Sequence, residues 1–323
     1  MSDRIKYSKR FQRAVARYSL FSFAAVFVRA PYWFVRGVGR FFIVLAFRLT
    51  VRQHKVARES LQIAFGEEKS PQDIEKIIHK CFENVGWGMV EMVYAMAHPK
   101  FADTHVRIEG KEILDEALAG GNGVVAVTAH FGNFPLMMFY LGRQGYPVSS
   151  IVRPTRDLKV EAYLHRKRTE VGLKTIYAVP RNECVRDSLK ALRENQVVFV
   201  PIDQNFGNGS GVFVKFFGQK AATATGPVVF SQRTKAPIVP FFIIREGKDT
   251  HRIIVEKPIE LENGKDDQET LVINTQKITA LIEQYIRRYP EEWGWMHRRW
   301  KSQPLVRKKK NPPGKKEYVP NKE

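Results

Sequence analysis

The sequence predicts an α/β protein, with a mostly parallel central sheet flanked by helices and an N-terminal helical membrane anchor ahead of it. From Val106 onward, short apolar runs alternate with amphipathic stretches, the pattern of strands and helices stacked as an α/β sandwich. Before it lies a basic and aromatic N-terminal segment whose apolar runs are repeatedly broken by arginine. Hydrophobic residues at 44% and aromatics at 12%, with an ordinary 17 prolines and 22 glycines, exclude a disordered or fibrous class. The chain divides accordingly into anchor helices over residues 1–55, a main domain over 56–304 (helical over 56–105, α/β over 106–304) and a disordered basic tail over 305–323.

The elements follow in order. A basic stretch from Arg4 to Arg17 leads into the apolar run Tyr18 to Val28, which Arg29 and Pro31 interrupt. Arginine recurs at 36, 40 and 48, so the clean apolar runs fall short of the roughly 18 to 20 residues that span a bilayer. No small-residue cleavage site marks a signal peptide. On a helix, Arg29, Arg36 and Arg40 share a face and leave Phe34, Val38, Phe41 and Phe42 on others. With Tyr32 and Trp33 beside them, this is the pattern of a helix lying in the headgroup boundary; the alternative is a helix covering the domain's own core. A helix is expected from Ser70 to Ala97, with Ser70 as N-cap and Pro71 in the first turn, and apolar positions from Ile74 to Val85 recurring at three and four.

In the α/β part, strands are expected at Val124–Ala129, Val148–Val152, Val197–Ile202, Ile238–Ile244 and Ile253–Val255. Helices are expected at Lys111–Ala119, Pro135–Gln144, Leu158–Val171, Cys184–Glu194 and Gly226–Thr234. Sheets of this kind carry their sites at the carboxyl ends of strands.

Lys and Arg outnumber Asp and Glu by 53 to 33, a formal charge of +20, which points to a polyanionic partner. Zinc-finger spacing, a basic zipper and an RNP-like aromatic pattern are all missing, which argues against nucleic acid and for an anionic membrane surface. Cys81 and Cys184 stand far apart without a CxxC partner, so the sequence suggests neither a disulfide nor a thiolate metal site and fits a reducing compartment. The eight histidines are scattered without ligand spacing, and no metal is expected.

The sharpest local feature is His130, which stands where the apolar run Val124–Ala129 ends and is followed by Gly132 and Asn133 in a tight turn. Imidazole titrates near neutrality and suits proton abstraction from a hydroxyl; taken alone, such a histidine can equally be structural. Asp203 follows the strand Val197–Ile202 and should reach the same sheet edge, as a functional acid or as a turn residue.

Four blocks then carry a resemblance: His130-Phe-Gly-Asn-Phe; Pro201-Ile-Asp203-Gln204-Asn205; Phe213 to Gly218 with Ala222 to Pro227; and Trp293-Gly-Trp295-Met-His297-Arg298-Arg299-Trp300. In this order, over nearly the whole chain, they resemble the lipid A late acyltransferases (lauroyl and myristoyl enzymes) of the lysophospholipid acyltransferase superfamily. The resemblance implies direct transfer of a fatty acyl group from acyl carrier protein or coenzyme A to a lipid hydroxyl, with His130 as general base and without an acyl-enzyme. Acyl carrier protein, a lipid acceptor and the cytoplasmic face of a bacterial inner membrane are the implied partners and location, and no cofactor beyond the acyl thioester is implied. The family's motif places an acidic residue five positions after the histidine, where this chain has Pro135, so another carboxylate (Asp203 the first candidate) or a carbonyl would have to orient the ring, or the protein is inactive. Arg168 matches the family's arginine ahead of a glycine and is assigned to an acceptor phosphate, with a solvated helix face as the alternative. Thr225 and Gly226, opening a helix, could offer backbone donors to an oxyanion or simply cap it, and Asn133 could donate to the site or hold its turn. Trp293, Trp295 and Trp300 are read as closing the core.

Overall fold

A computed structural model describes residues 14, 17–18, 21–22, 24–26, 28–207 and 211–304. The tail and most of the N-terminal basic stretch therefore lie outside the described residues. Helices α1 (Tyr32–Leu49), α2 (Val51–Phe65), α3 (Pro71–Ala97) and α4 (Lys100–His105) precede the sheet. Strands β1 (Val106–Glu109), β2 (Val124–Thr128), β3 (Val148–Val152), β4 (Lys174–Tyr177) and β5 (Val197–Pro201) then alternate with α5 (Lys111–Ala119), α6 (Phe134–Arg143), α7 (Leu158–Thr169) and α8 (Arg181–Arg193). After a hairpin of β6 (Val212–Phe216) and β7 (Gln219–Thr223) come α9 (Gly226–Thr234), β8 (Ile238–Arg245), β9 (His251–Val255) and α10 (Asp267–Arg288).

Seven strands form the sheet in the order β1-β9-β8-β2-β5-β3-β4, parallel throughout except for the β8–β9 pair. The central strands β2 and β5 are nearly continuous apolar runs because helices cover both faces of the sheet. Alternate side chains feed two cores. Val125 and Val127 pack on one side with α2, α8, α9, α10 and the tryptophans 293, 295 and 300; Val124 and Ala126 pack on the other with α4, α5 and α6.

The expected fold class, a mixed α/β fold with a mostly parallel sheet flanked by helices, is the one observed. Ser70 caps α3 as expected, its hydroxyl accepting from the Asp73 N–H at 3.2 Å. The β4 edge strand, the β6–β7 hairpin and α10 were not anticipated. Only Ile176 of β4 is buried, so it lacks an apolar run, and α10 buries Thr270, Asn274, Thr275 and Thr279 on the face a sequence pattern reads as polar.

Among the described residues, no helix is long and apolar enough to cross a membrane. Helix α1 packs against α3 through buried Val35 and Gly39, while Trp33, Phe41 and Leu49 remain 74%, 64% and 73% exposed. The face shared by Arg29, Arg36 and Arg40 is not uniformly outward. Arg36 turns inward, pairing with Asp249 at 3.2 Å and lying 4.5 Å over the Trp87 ring, because α3 and the β8–β9 turn occupy that side.

Candidate functional site

Strands β2 and β5 are parallel neighbours, with Thr128 opposite Pro201. Two residues beyond each of these positions stand His130 and Asp203, so the register brings them together at the carboxyl edge of the sheet. His130 Nδ1 lies 2.9 Å from Asp203 Oδ1, and the His130 backbone N–H donates to Oδ2 at 2.9 Å. Trp293 Nε1 donates to the same Oδ2 at 2.8 Å. The acid is sealed from solvent while the imidazole is 27% exposed, so the ring is reachable and its orienting partner is not.

Burial alone would raise the Asp203 pKa, but the charge and hydrogen bond of His130, with the Trp293 and backbone donors, bring it down to about 2. An ionised Asp203 can only accept, so Nδ1 carries the ring proton and Nε2 keeps its lone pair. Burial lowers the His130 pKa, yet the Asp203 charge and hydrogen bond outweigh it and hold the imidazole above the usual histidine value.

The loop after His130 is clamped by the segment before Trp295. Gly132 N–H donates to Glu292 O at 2.8 Å, and Gly294 N–H donates to His130 O at 3.1 Å. Gly132 adopts φ +55°, and a Cβ there would come within 2.0 Å of Ile243 O, so only glycine fits this turn. Trp293, Trp295 and Trp300 are buried as expected, but Trp293 also holds the acid, a role its sequence position does not signal. His297 sits with its ring centroid 5.5 Å from that of His130; burial, then the neighbouring His130 charge, lowers its pKa.

His130 opens into a cavity of about 340 Å³ walled by Met92, Met96, Phe134, Met138, Leu164 and Leu173. Pro135 belongs to this wall, so the position where the resemblance places an acid contributes apolar surface, and Asp203 is the carboxylate that reaches the ring. Arg168 also lines the cavity, but one guanidinium nitrogen is held by Glu161 at 2.6 Å. Arg153, which sequence reasoning passed over, lines the same cavity as an exposed cation.

The structure does not place Asn133, Thr225 or Gly226 in the lining of the His130 cavity. Asn133 is buried as the N-cap of α6: its Oδ1 accepts from Leu136 N–H at 3.3 Å, and its amide donates to Gly88 O at 3.3 Å and Glu91 Oε2 at 3.2 Å. Both amide protons are committed to the protein, so it holds the turn and offers no donor to a substrate. Thr225 and Gly226 open α9 but do not line the His130 cavity; Thr225 is buried, and Gly226 faces Phe230 and Val200. Phe216, Phe217 and Ala221 of the β6–β7 hairpin pack into the core together with Val228 and Phe230 of α9. Cys81 is buried with its thiol pushed up to about 12 by burial, and Cys184 is half-buried with its pKa raised for the same reason. Neither has the character of a nucleophile.

The family model of the bacterial lipid A biosynthesis acyltransferases matches residues 6–302 of the chain. A lipid A biosynthesis lauroyltransferase of Escherichia coli is 28% identical over 279 residues, covering 86% of this chain and 88% of that one. The palmitoleoyltransferase of the same organism is 27% identical, covering 94% of this chain and 98% of its own. A phosphatidylinositol mannoside acyltransferase of Mycobacterium tuberculosis is 25% identical over 66% of each chain.

Proposed function

Since the chain belongs to the bacterial lipid A biosynthesis acyltransferases and is an acyltransferase, we propose that it moves a fatty acyl group from a thioester of acyl carrier protein or coenzyme A onto a hydroxyl of a lipid A precursor, with His130 as general base. The observation that carries this reading is the His130–Asp203 pair, 2.9 Å apart, at the mouth of an apolar cavity. Nε2 takes the proton of the acceptor hydroxyl as its oxygen attacks the thioester carbonyl. The tetrahedral intermediate collapses, the carbon–sulfur bond breaks, and the imidazolium returns its proton to the leaving thiolate, so that ester and free thiol are the products. Asp203 fixes the tautomer and stabilises the transient imidazolium. The methionine and leucine walls of the cavity suit an acyl chain, and Arg153 and Arg168 at its lining suit phosphate groups on donor or acceptor.

The reading includes attachment to an anionic membrane at the cytoplasmic face of the inner membrane. The exposed Trp33, Phe41 and Leu49 of α1 and the net charge of +20 support an interfacial anchor. Purified protein given labelled acyl-acyl carrier protein and a lipid A precursor should form acylated product, and His130→Ala should form none. Full activity in that variant would sink the mechanism.

A second acceptor class is favoured by one observation, the relative named for phosphatidylinositol mannoside acylation. Lipid mass spectrometry of a deletion strain separates the two: loss of one acyl chain from lipid A supports the first reading, and unchanged lipid A supports the second.

A further inference from the structure

A second cavity, of about 480 Å³, lies between α1, α3 and the turn joining β8 to β9, and it shares no lining residue with the His130 cavity. Six cations line it (Arg36, Arg40, Arg48, Lys80, Arg245 and Lys248), against a single acid, Glu83. Three of the six are already paired: Arg36 with Asp249 at 3.2 Å, Lys80 with Glu83 at 2.8 Å, and Arg245 with buried Glu91 at 2.6 Å. Among the described residues, Arg40, Arg48 and Lys248 have no carboxylate partner. Arg36 Nη1 reaches Lys248 O at 3.4 Å, and Arg40 stands one helical turn further along α1, so Arg40 and Lys248 both line the cavity within about a turn of Arg36.

Apart from His79 and Gly247, the remaining wall is apolar, supplied by Ile43, Val44, Phe47 and Trp87. At 100° per residue, the positions of α1 that line the cavity border directly on the row Phe41, Leu45, Leu49, which is 64%, 40% and 73% exposed. Exposed cations without a carboxylate partner, set beside an apolar wall continuous with an exposed apolar stripe, match an amphiphile whose head is a phosphate ester. Soluble polyanions would leave the stripe unused.

We propose that the cavity between α1 and α3 is a binding site for the phosphate headgroup of an anionic lipid, held by Arg40 and Lys248, with the lipid's chains running along Phe41 and Leu45. The site is separate from the acyl-transfer reading, because its occupancy is measured without turnover. Fixing one lipid phosphate there would lay α1 against the bilayer in a defined orientation, which diffuse attraction between a basic surface and a membrane does not provide.

The test is isothermal titration of the full chain with dihexanoyl phosphatidic acid below its micelle concentration, with inorganic phosphate and dihexanoyl phosphatidylcholine titrated in parallel. Phosphatidic acid should bind most tightly, and Arg40→Gln/Lys248→Gln should weaken it by about tenfold for each cation removed. Exposed Arg186 and Lys190 on α8 serve as the control, and Arg186→Gln/Lys190→Gln should bind like the parent. Each single variant is titrated beside the double one, and circular dichroism checks that all are folded. Parent-like affinity in the Arg40 and Lys248 variants would overturn the site. Inorganic phosphate or phosphatidylcholine binding as tightly as phosphatidic acid would overturn the anionic-lipid assignment.

Discussion

Asp203→Asn isolates the orienting acid with almost no change of shape. Two fixed donors, the His130 N–H and Trp293 Nε1, point at Oδ2. An asparagine will place its carbonyl oxygen there to satisfy both, which turns its NH₂ toward His130 Nδ1. Nδ1 must then accept, the ring proton moves to Nε2, and the nitrogen facing the cavity loses the lone pair it needs. The charge is lost as well. Unit charges about 4 Å apart at an effective dielectric near 20 attract by about 4 kcal/mol, equivalent to about three decades in rate if the imidazolium is fully formed in the transition state. The two effects together predict a fall in kcat of about 10³ to 10⁴, with KM for the acyl donor little altered because Asp203 lies behind the ring and away from the cavity. The pH profile supplies a second readout. His130 is held above its ordinary value in the parent, so activity should fall away on the acid side from a pH above about 6.5, as the base becomes protonated. Without Asp203, burial is left as the main influence, and the acid limb should move to lower pH. Initial rates of acyl transfer to a lipid A precursor across pH 5 to 9 measure both. A loss below tenfold, or an acid limb that stays in place, would refute the assignment of Asp203 as the group that orients His130.

Other perturbations follow from the supports of the same loop. Gly132→Ala places a methyl where the φ of +55° and Ile243 O at 2.0 Å leave no room, so the turn must shift; a stability loss of about 1 to 3 kcal/mol, read by urea denaturation, should accompany a fall in activity. A fully stable, active variant would show that the turn is not fixed by this contact. Glu91, buried and bonded to Arg245, His251 and Asn133, braces the cap of α6 from below. Replacing it by Gln leaves the Arg245 cation buried without its counter-charge, at a cost of about 3 to 5 kcal/mol and a drop in Tm on the order of 10 °C by thermal circular dichroism. A Tm within a degree or two of the parent would mean that water or another group takes over the pairing.

Much of this molecule is local in the chain. The apolar runs of β2, β5 and β8 mark buried strands because burial on both faces demands continuous apolar sequence, and the Ser70-Pro71 start of α3 is a capping signal that works within four residues. His130 at a strand end, and its Gly132 turn, were legible for the same reason. Elements with less apolar sequence escaped: β4 is a short edge strand, and the first half of α10 buries threonines and an asparagine that no hydrophobic period reveals, although Ile278, Ile282 and Ile286 of its second half do recur at helical spacing.

The α/β class, the strand-end histidine and the likeness to the acyltransferases were thus determined by sequence alone, including the puzzle of a proline where an acid was expected. Tertiary structure decided who answers that puzzle. Asp203 is 73 positions from His130, and Trp293 a further 90 from Asp203, so their meeting depends on the β2–β5 register and on the segment that folds back over the sheet edge. It also decided the direction of side chains: the Asn133 amide is committed to Gly88 and Glu91 of α3, and Arg36 turns inward to Asp249, because elements distant in the chain offer partners there.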